Sequence, residues 1–130
     1  MTINSVFENF KGKKVIIIGD SMVDSYIFGE INRNSPEAPV PIVDIKKEDT
    51  KLGGAANVAL NIQSLGMEPI LCSVIGDDED GQIFMKLCKK NNLVTKGIII
   101  DEYRKTTNKK RVIVNKDHIL RIDNEETNYL

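Results

Sequence analysis

Apolar residues fall into two rhythms along this chain. Short unbroken runs alternate with stripes spaced three or four residues apart. Val15-Ile16-Ile17-Ile18, closed by Gly19-Asp20, reads as a buried parallel strand that ends in a turn. Glu68 to Ile75 and Gly97 to Ile100 repeat the reading. Between the first two runs, Gly53-Gly54 opens a stretch in which Ala55, Val58, Ala59, Ile62 and Leu65 keep helical spacing, and Gly66 fits the C-terminal cap. Between the last two, Asp77 or Asp78 can cap a helix whose core face is Ile83, Phe84, Leu87 and Cys88. The pattern predicts helices near 54–65 and 78–91. The order strand, helix, strand, helix, strand predicts a parallel sheet with crossover helices.

Two segments interrupt that order. Val23 to Ile31 is rich in β-formers and loosely alternating, and Ile42 to Lys46 alternates again. Pro36, Pro39 and Pro41 between them remove amide donors and fix φ, so the connection cannot be helix interior. Further on, Lys109–Val114 and His118–Ile122 read as a hairpin around Asn115-Lys116-Asp117. Both excursions belong outside the main sheet and can pair into one small accessory sheet. No repeat, low-complexity tract or linker divides the chain, which is read as one unit, 1–130, with excursions at about 24–47 and 105–123.

Composition narrows the function classes. The 130 residues are 41% hydrophobic and 28% charged, a globular balance. A net charge of −1 argues for neither a nucleic-acid partner nor an acidic membrane surface. No apolar run approaches the ~20 residues of a membrane span, and Met1-Thr2-Ile3-Asn4-Ser5 lacks the features of a signal peptide. Cys72 and Cys88 sit in apolar stretches as reduced, buried thiols, and a single histidine gives a metal site little to build on. The expectation is a cytoplasmic protein without a bound metal.

In open α/β sheets ligands gather beyond the carboxyl ends of the strands. Gly19-Asp20 with Asp24, Gly53-Gly54 with Asn57, and Gly76-Asp77-Asp78 all fall there. A carboxylate accepts from two hydroxyls and an amide both donates and accepts, so Asp24 with Asn57 makes a plausible polyol clamp. Gly53 and Gly54 would let backbone N–H groups approach a ligand. Plainer roles stay open: a turn cap for Asp24, a solvent-facing position for Asn57, a simple loop for the glycines. Arg33, Lys109, Arg111 and Arg121 are the basic candidates for an anion, and an arginine fork suits phosphate. A solvated strand face is the alternative for them. Neither Gly-x-Gly-x-x-Gly nor the Walker lysine pattern occurs.

These residues resemble a known family. Gly19-Asp20-x-x-x-Asp24, Arg33-x-Ser35-Pro36-Glu37-Ala38-Pro39-Val40-Pro41, Gly53-Gly54-Ala55-Ala56-Asn57-Val58-Ala59 and Leu65-Gly66 are similar, in this order, to the ribokinase/PfkB carbohydrate kinases. The Ser35–Pro41 stretch, Thr106-Thr107-x-Lys109-x-Arg111-Val112-Ile113 and Leu120-Arg121-Ile122-Asp123 look like the D-glycero-β-D-manno-heptose-7-phosphate kinases of ADP-heptose and lipopolysaccharide synthesis. The resemblance runs from about Lys13 to Asp123. It implies a three-layer α/β/α fold with a small β-sheet lid. It places Asp24, Gly53, Gly54 and Asn57 at sugar-binding positions, and Arg33, Lys109, Arg111 and Arg121 where the substrate's own phosphate could be held.

The chain departs from the pattern in three ways. Lys105 stands where a proline is usual before Thr-Thr, and Asp117-His118 stand where Gln-Gln is usual, so another sugar of the same family remains an alternative. The family's Gly-Ala-Gly-Asp motif, with its catalytic aspartate, has no match here. No catalytic residue is therefore assigned, and ATP and Mg²⁺, the family's cosubstrate and ion, have no recognisable site. The expectation is the truncated, acceptor-sugar part of a kinase, inactive alone. It would dimerise through its lid or need a C-terminal half. The alternative from another class is a non-catalytic sugar-phosphate-binding or assembly module.

Overall fold

A three-stranded parallel sheet forms the body of the computed structural model, which describes residues 2–128. After a six-residue helix, α1 (Ile3–Glu8), come β1 (Lys14–Ile18), β4 (Glu68–Gly76) and β5 (Val94–Asp101), in the spatial order β1-β4-β5. Both neighbouring pairs are parallel, with Ile16 opposite Ile70 and Val74 opposite Ile99. The crossovers are α2 (Ala55–Ser64) and α3 (Glu79–Lys90), as the apolar spacing predicts.

Local chemistry explains where the helices stop and start. Gly66 takes φ +85 after α2, the Gly66 amide donates to the Gln63 carbonyl (2.9 Å) and the Met67 amide to Ile62 (3.3 Å). That pair of hydrogen bonds is a Schellman cap, and it needs the left-handed conformation glycine adopts freely. Asp78 caps α3 by accepting from the Gly81 amide. Glu79 and Asp80 in the first turn and Lys89 and Lys90 in the last complement the helix dipole.

Both helices lie on one face of the sheet. Leu71, Ile75, Phe84, Cys88 and Leu93 are buried between them, with Ile17 and Ile98 packed alongside. Burial pushes the Cys88 thiol up to about 11, so it acts as a small hydrophobe. The stripe of α2 differs from its prediction. Ala56 and Ala59 face the core, whereas Val58 is 47% and Leu65 38% exposed. Two alanines on the buried side let the helix lie close to the strands beneath it. On the far face of the sheet Ile16, Ile18 and Ile99 are 64%, 83% and 63% exposed. Of the three layers expected, the described residues therefore build two: helices on one side, a bare apolar face on the other.

The two excursions pair as one four-stranded sheet. β2 (Ser21–Asn34) and β3 (Pro41–Gly54) form a long hairpin, β6 (Asn108–Val114) and β7 (Asp117–Asn124) a short one. Their order is β3-β2-β6-β7, joined by a parallel β2–β6 seam from Val23/Asn108 to Gly29/Val114. Asn115 and Lys116 take φ +51 and +75, the paired left-handed residues of a two-residue primed turn. The lid strands begin earlier than the sequence indicated, at Ser21, and end later, at Gly54, because pairing runs right up to the sheet body. Ser73 fastens the junction: its hydroxyl donates to the Gly19 carbonyl (2.8 Å) and accepts from the Ser21 amide (3.1 Å).

Two substitutions separate the core from the bare face. Phe84→Ala, at a fully buried ring, should cost about 3–5 kcal/mol. Ile18→Ala in the same 130 residues should cost less than about 0.5 kcal/mol. Urea unfolding of the two variants measures both, and similar losses would show that the Ile18 face is covered.

Candidate functional site

Asp24 lies on β2 directly beside the di-glycine segment of β3. Its register partner across the hairpin is Lys51, and that of Met22 is Gly53. A Cβ on Gly53 would run into the Asp24 carboxylate and the Met22 side chain, and one on Gly54 into the Asp20 carbonyl. Gly54 also has φ +59. The glycines are thus required for two close approaches. They draw the β1–β2 turn, the Asp24 carboxylate and the start of α2 together, and the Ala55 amide donates to the Asp20 carbonyl (2.8 Å).

Arg111 reaches Asp24 across the β2–β6 seam. Its Nη1 donates to Asp24 Oδ1 at 2.6 Å and to the Lys109 carbonyl at 3.2 Å, and the guanidinium lies over the Tyr26 ring, 5.4 Å from its centroid. The side chains of the pair are 21% and 19% exposed, so water screens them only in part. The hydrogen bond to Asp24 raises Arg111 above its ordinary value, against burial that would lower it. Arg111 orients one carboxylate oxygen, and the other faces Gly53.

A cavity of about 620 Å³ opens at the root of the lid; neither Asp24 nor Arg111 lines it, but Met22 and Lys109 do. Asp20, Met22, Arg104, Lys105, Thr107 and Lys109 contribute to its wall, together with the 125–128 segment. Lys109 connects the two features, because it lines the cavity and is the β6 register partner of Asp24. Its Nζ contacts Asp123 and Glu125, both at 3.3 Å. Arg121, opposite Arg111 in the β6–β7 pairing, grips Asp123 with two nitrogens at 3.0 and 3.1 Å. Burial would raise the Asp123 carboxyl, but hydrogen bonds from Lys109 and Arg121 bring it below its usual value.

The structure brings Asp24, Gly53, Gly54, Lys109 and Arg111 together, with Arg121 one strand away. Asn57 stands in the first turn of α2 with its side chain exposed. Arg33 is set apart: it pairs with Ile42 near the lid tip, beyond the reach of β6. The reason is the length of β2, which carries it nine residues past Asp24, roughly 25–30 Å along the strand. The cations that sequence reasoning offered to a phosphate are largely engaged by carboxylates. Lys105, read from sequence only as a departure from a proline, lines the cavity without an ion-pair partner among the described residues. Arg104 lines it too and donates to the carbonyls of Asn128 and Glu126.

The fold is that of solved kinases of ribokinase type. A carbohydrate kinase from Agrobacterium tumefaciens matches over 86% of this chain and 35% of its own, with a TM-score of 0.64 at 18% identity. A Methanocaldococcus jannaschii nucleoside kinase, an archaeal member of the ribokinase family, matches over 88% and 36%, with a TM-score of 0.61 at 21% identity. The model of the pfkB family of carbohydrate kinases matches residues 13–130, and the chain belongs to that family. The bifunctional protein HldE of Helicobacter acinonychis is 49% identical over 113 residues, 87% of this chain and 24% of that protein. The chain thus spans about a quarter of the length of the curated relatives it matches.

The Asp24–Arg111 pair makes a measurable claim. A double-mutant cycle with Asp24→Ala and Arg111→Ala, read by denaturant unfolding, should give a coupling energy of about 1.5–3 kcal/mol. A coupling under about 0.5 kcal/mol would mean a pair screened like an ordinary surface bridge.

Proposed function

We propose that the chain is the acceptor-sugar-binding part of an ATP-dependent carbohydrate kinase that phosphorylates D-glycero-β-D-manno-heptose 7-phosphate at the 1-position. The reaction would serve ADP-heptose and lipopolysaccharide synthesis in the cytoplasm. One observation carries the reading: the Asp24 carboxylate, oriented by Arg111 and pressed against Gly53, sits on β2 across from Lys109, which with Lys105 walls the cavity. A carboxylate with one oxygen tied and one free suits neighbouring sugar hydroxyls. An unengaged lysine suits the phosphate the sugar already carries. Family membership and the similarity to HldE support the substrate class.

What these residues do is bind and orient. Asp24 takes hydroxyl hydrogens, and Lys105 faces the phosphate. The lid sheet limits water around them. Phosphoryl transfer also needs ATP and Mg²⁺, with charge stabilisation at the transferred group. Among the described residues no group of three or more His, Cys, Asp or Glu side chains is placed to hold a metal ion. No Gly-Ala-Gly-Asp motif occurs in the 130 residues, and on this reading they should not turn over ATP alone.

Of the two substituted stretches, Lys105 and Asp117-His118, only the first falls at the cavity. Asp117 and His118 open β7 just after the lid turn, paired with Val114 and Ile113. Lys105 is in the cavity wall, so the choice among related sugars rests there. A second reading, an assembly module, draws on the bare sheet face of Ile16, Ile18 and Ile99. Large exposed apolar patches recruit partners. In the kinase reading that face meets a C-terminal half, and the lid supplies a homodimer contact.

Titration calorimetry on the full-length protein tests the proposal. The heptose 7-phosphate should bind at least about tenfold more tightly than the unphosphorylated heptose, and Lys105→Ala should remove most of that difference. Equal affinity for the two sugars would overturn the phosphate assignment. Sugar-dependent ATP consumption by the 130 residues alone would overturn the division of labour.

A further inference from the structure

The turn from Gly76 to Gly81 carries a polar arrangement that neither the sheet nor the sugar contacts require. Asp78 uses both carboxylate oxygens. Oδ1 accepts from the Gly81 amide at 2.8 Å and caps α3. Oδ2 accepts from the Thr106 amide, also at 2.8 Å, on a different part of the chain. The Thr106 hydroxyl accepts from the Gly76 amide at 2.8 Å and lies 3.4 Å from the Gly76 carbonyl, to which it donates. Thr106 is 1% exposed. The two glycines are sterically necessary: a Cβ on Gly76 would strike the Arg104 carbonyl, and one on Gly81 the Gly76 carbonyl.

The residues around Thr106 give this closed set of bonds its significance. Arg104, Lys105 and Thr107 are cavity wall. The next residue, Asn108, opens β6 and is tied on both sides: Nδ2 donates to Asp80 Oδ1 at 2.6 Å, and Oδ1 accepts from the Ser25 hydroxyl at 2.9 Å. The first turn of α3 therefore holds both the cavity wall and the lid strand. We propose that Asp78 and Thr106 form a clip that positions the 104–107 wall, which makes both of them positioning residues for sugar-phosphate binding. The ligand named here rests on the function proposed above. The clip itself rests on geometry. Burial works against the Asp78 charge, but the hydrogen bonds from Thr106 and Gly81 outweigh it and hold the carboxyl below its ordinary value. Both oxygens thus remain acceptors, whereas an asparagine would turn an amide NH₂ toward a backbone N–H.

The test uses full-length protein and three variants: Asp78→Asn, Thr106→Val and Thr106→Ser. Valine keeps the shape and strands the Gly76 amide, and serine keeps the hydroxyl. Asp78→Asn and Thr106→Val should each weaken heptose 7-phosphate binding about tenfold or more, with ATP affinity unchanged. Thr106→Ser should stay within about twofold of the parent. Amide hydrogen exchange, read without any ligand, should speed up at residues 104–107 in the first two variants and not in the third. Sugar-phosphate and ATP affinities falling together, or valine and serine behaving alike, would overturn the clip as a positioning device. If the parent protein ignores the heptose phosphate, the functional reading falls and exchange alone judges the clip. Parental exchange rates at 104–107 in Asp78→Asn would then overturn it.

Discussion

No side chain can stand at Gly53 or Gly54 without displacing a neighbour. The space at the first belongs to the Asp24 carboxylate, and the space at the second to the Asp20 carbonyl. Three elements meet at this contact: the turn that leaves β1, the lid hairpin that returns on β3, and the helix that starts at Ala55. A methyl group here would push the hairpin off the sheet body. The Asp20 carbonyl would then lose the Ala55 amide, and Asp24 would move away from Arg111. This crowded stretch of backbone is thus also the place where a carboxylate is presented.

The lid depends on long-range pairing. β2 and β6 are far apart in sequence and run parallel, so no hairpin loop sets their register. The register is held by what lies at the root of the seam. Val23, fully buried, donates its amide to the Thr107 carbonyl (2.9 Å), and Ser25, Asn108 and Asp80 form a hydrogen-bonded chain. Buried polar groups of this kind cost free energy when left unpaired, so a slipped register is penalised at several atoms at once. That register is what places Arg111 opposite Tyr26, within reach of Asp24.

Much of the architecture was legible because its signals are local. The strand Val15–Ile18, the capping Asp78, the terminating Gly66 and the turn at Asn115-Lys116 each follow from residues within one turn of one another. The stripe of α2 was harder to read. Val58 and Leu65 are as apolar as a core position requires, yet the closeness of Ala56 and Ala59 to the sheet decided which side went in. Of the site, Asp24 and the two glycines stood out by their place at strand ends, while Lys105 and Thr106 lay in a stretch with no periodicity to mark them.

Apart from α1, which no pattern marked, the sequence by itself determined the element types, their order, the parallel sheet and the pairing of the excursions into a lid. Period, caps and turn residues act over a few positions and carry that information in plain view. Only the tertiary structure decided which charges are spoken for. Lys109, Arg111 and Arg121 read alike along the chain, but cross-strand register hands each of them a carboxylate, takes Arg33 to the lid tip and leaves Lys105 without a partner among the described residues. Ion pairing depends on distances of a few ångströms between strands remote in sequence, and those distances exist only once the lid has folded onto the body.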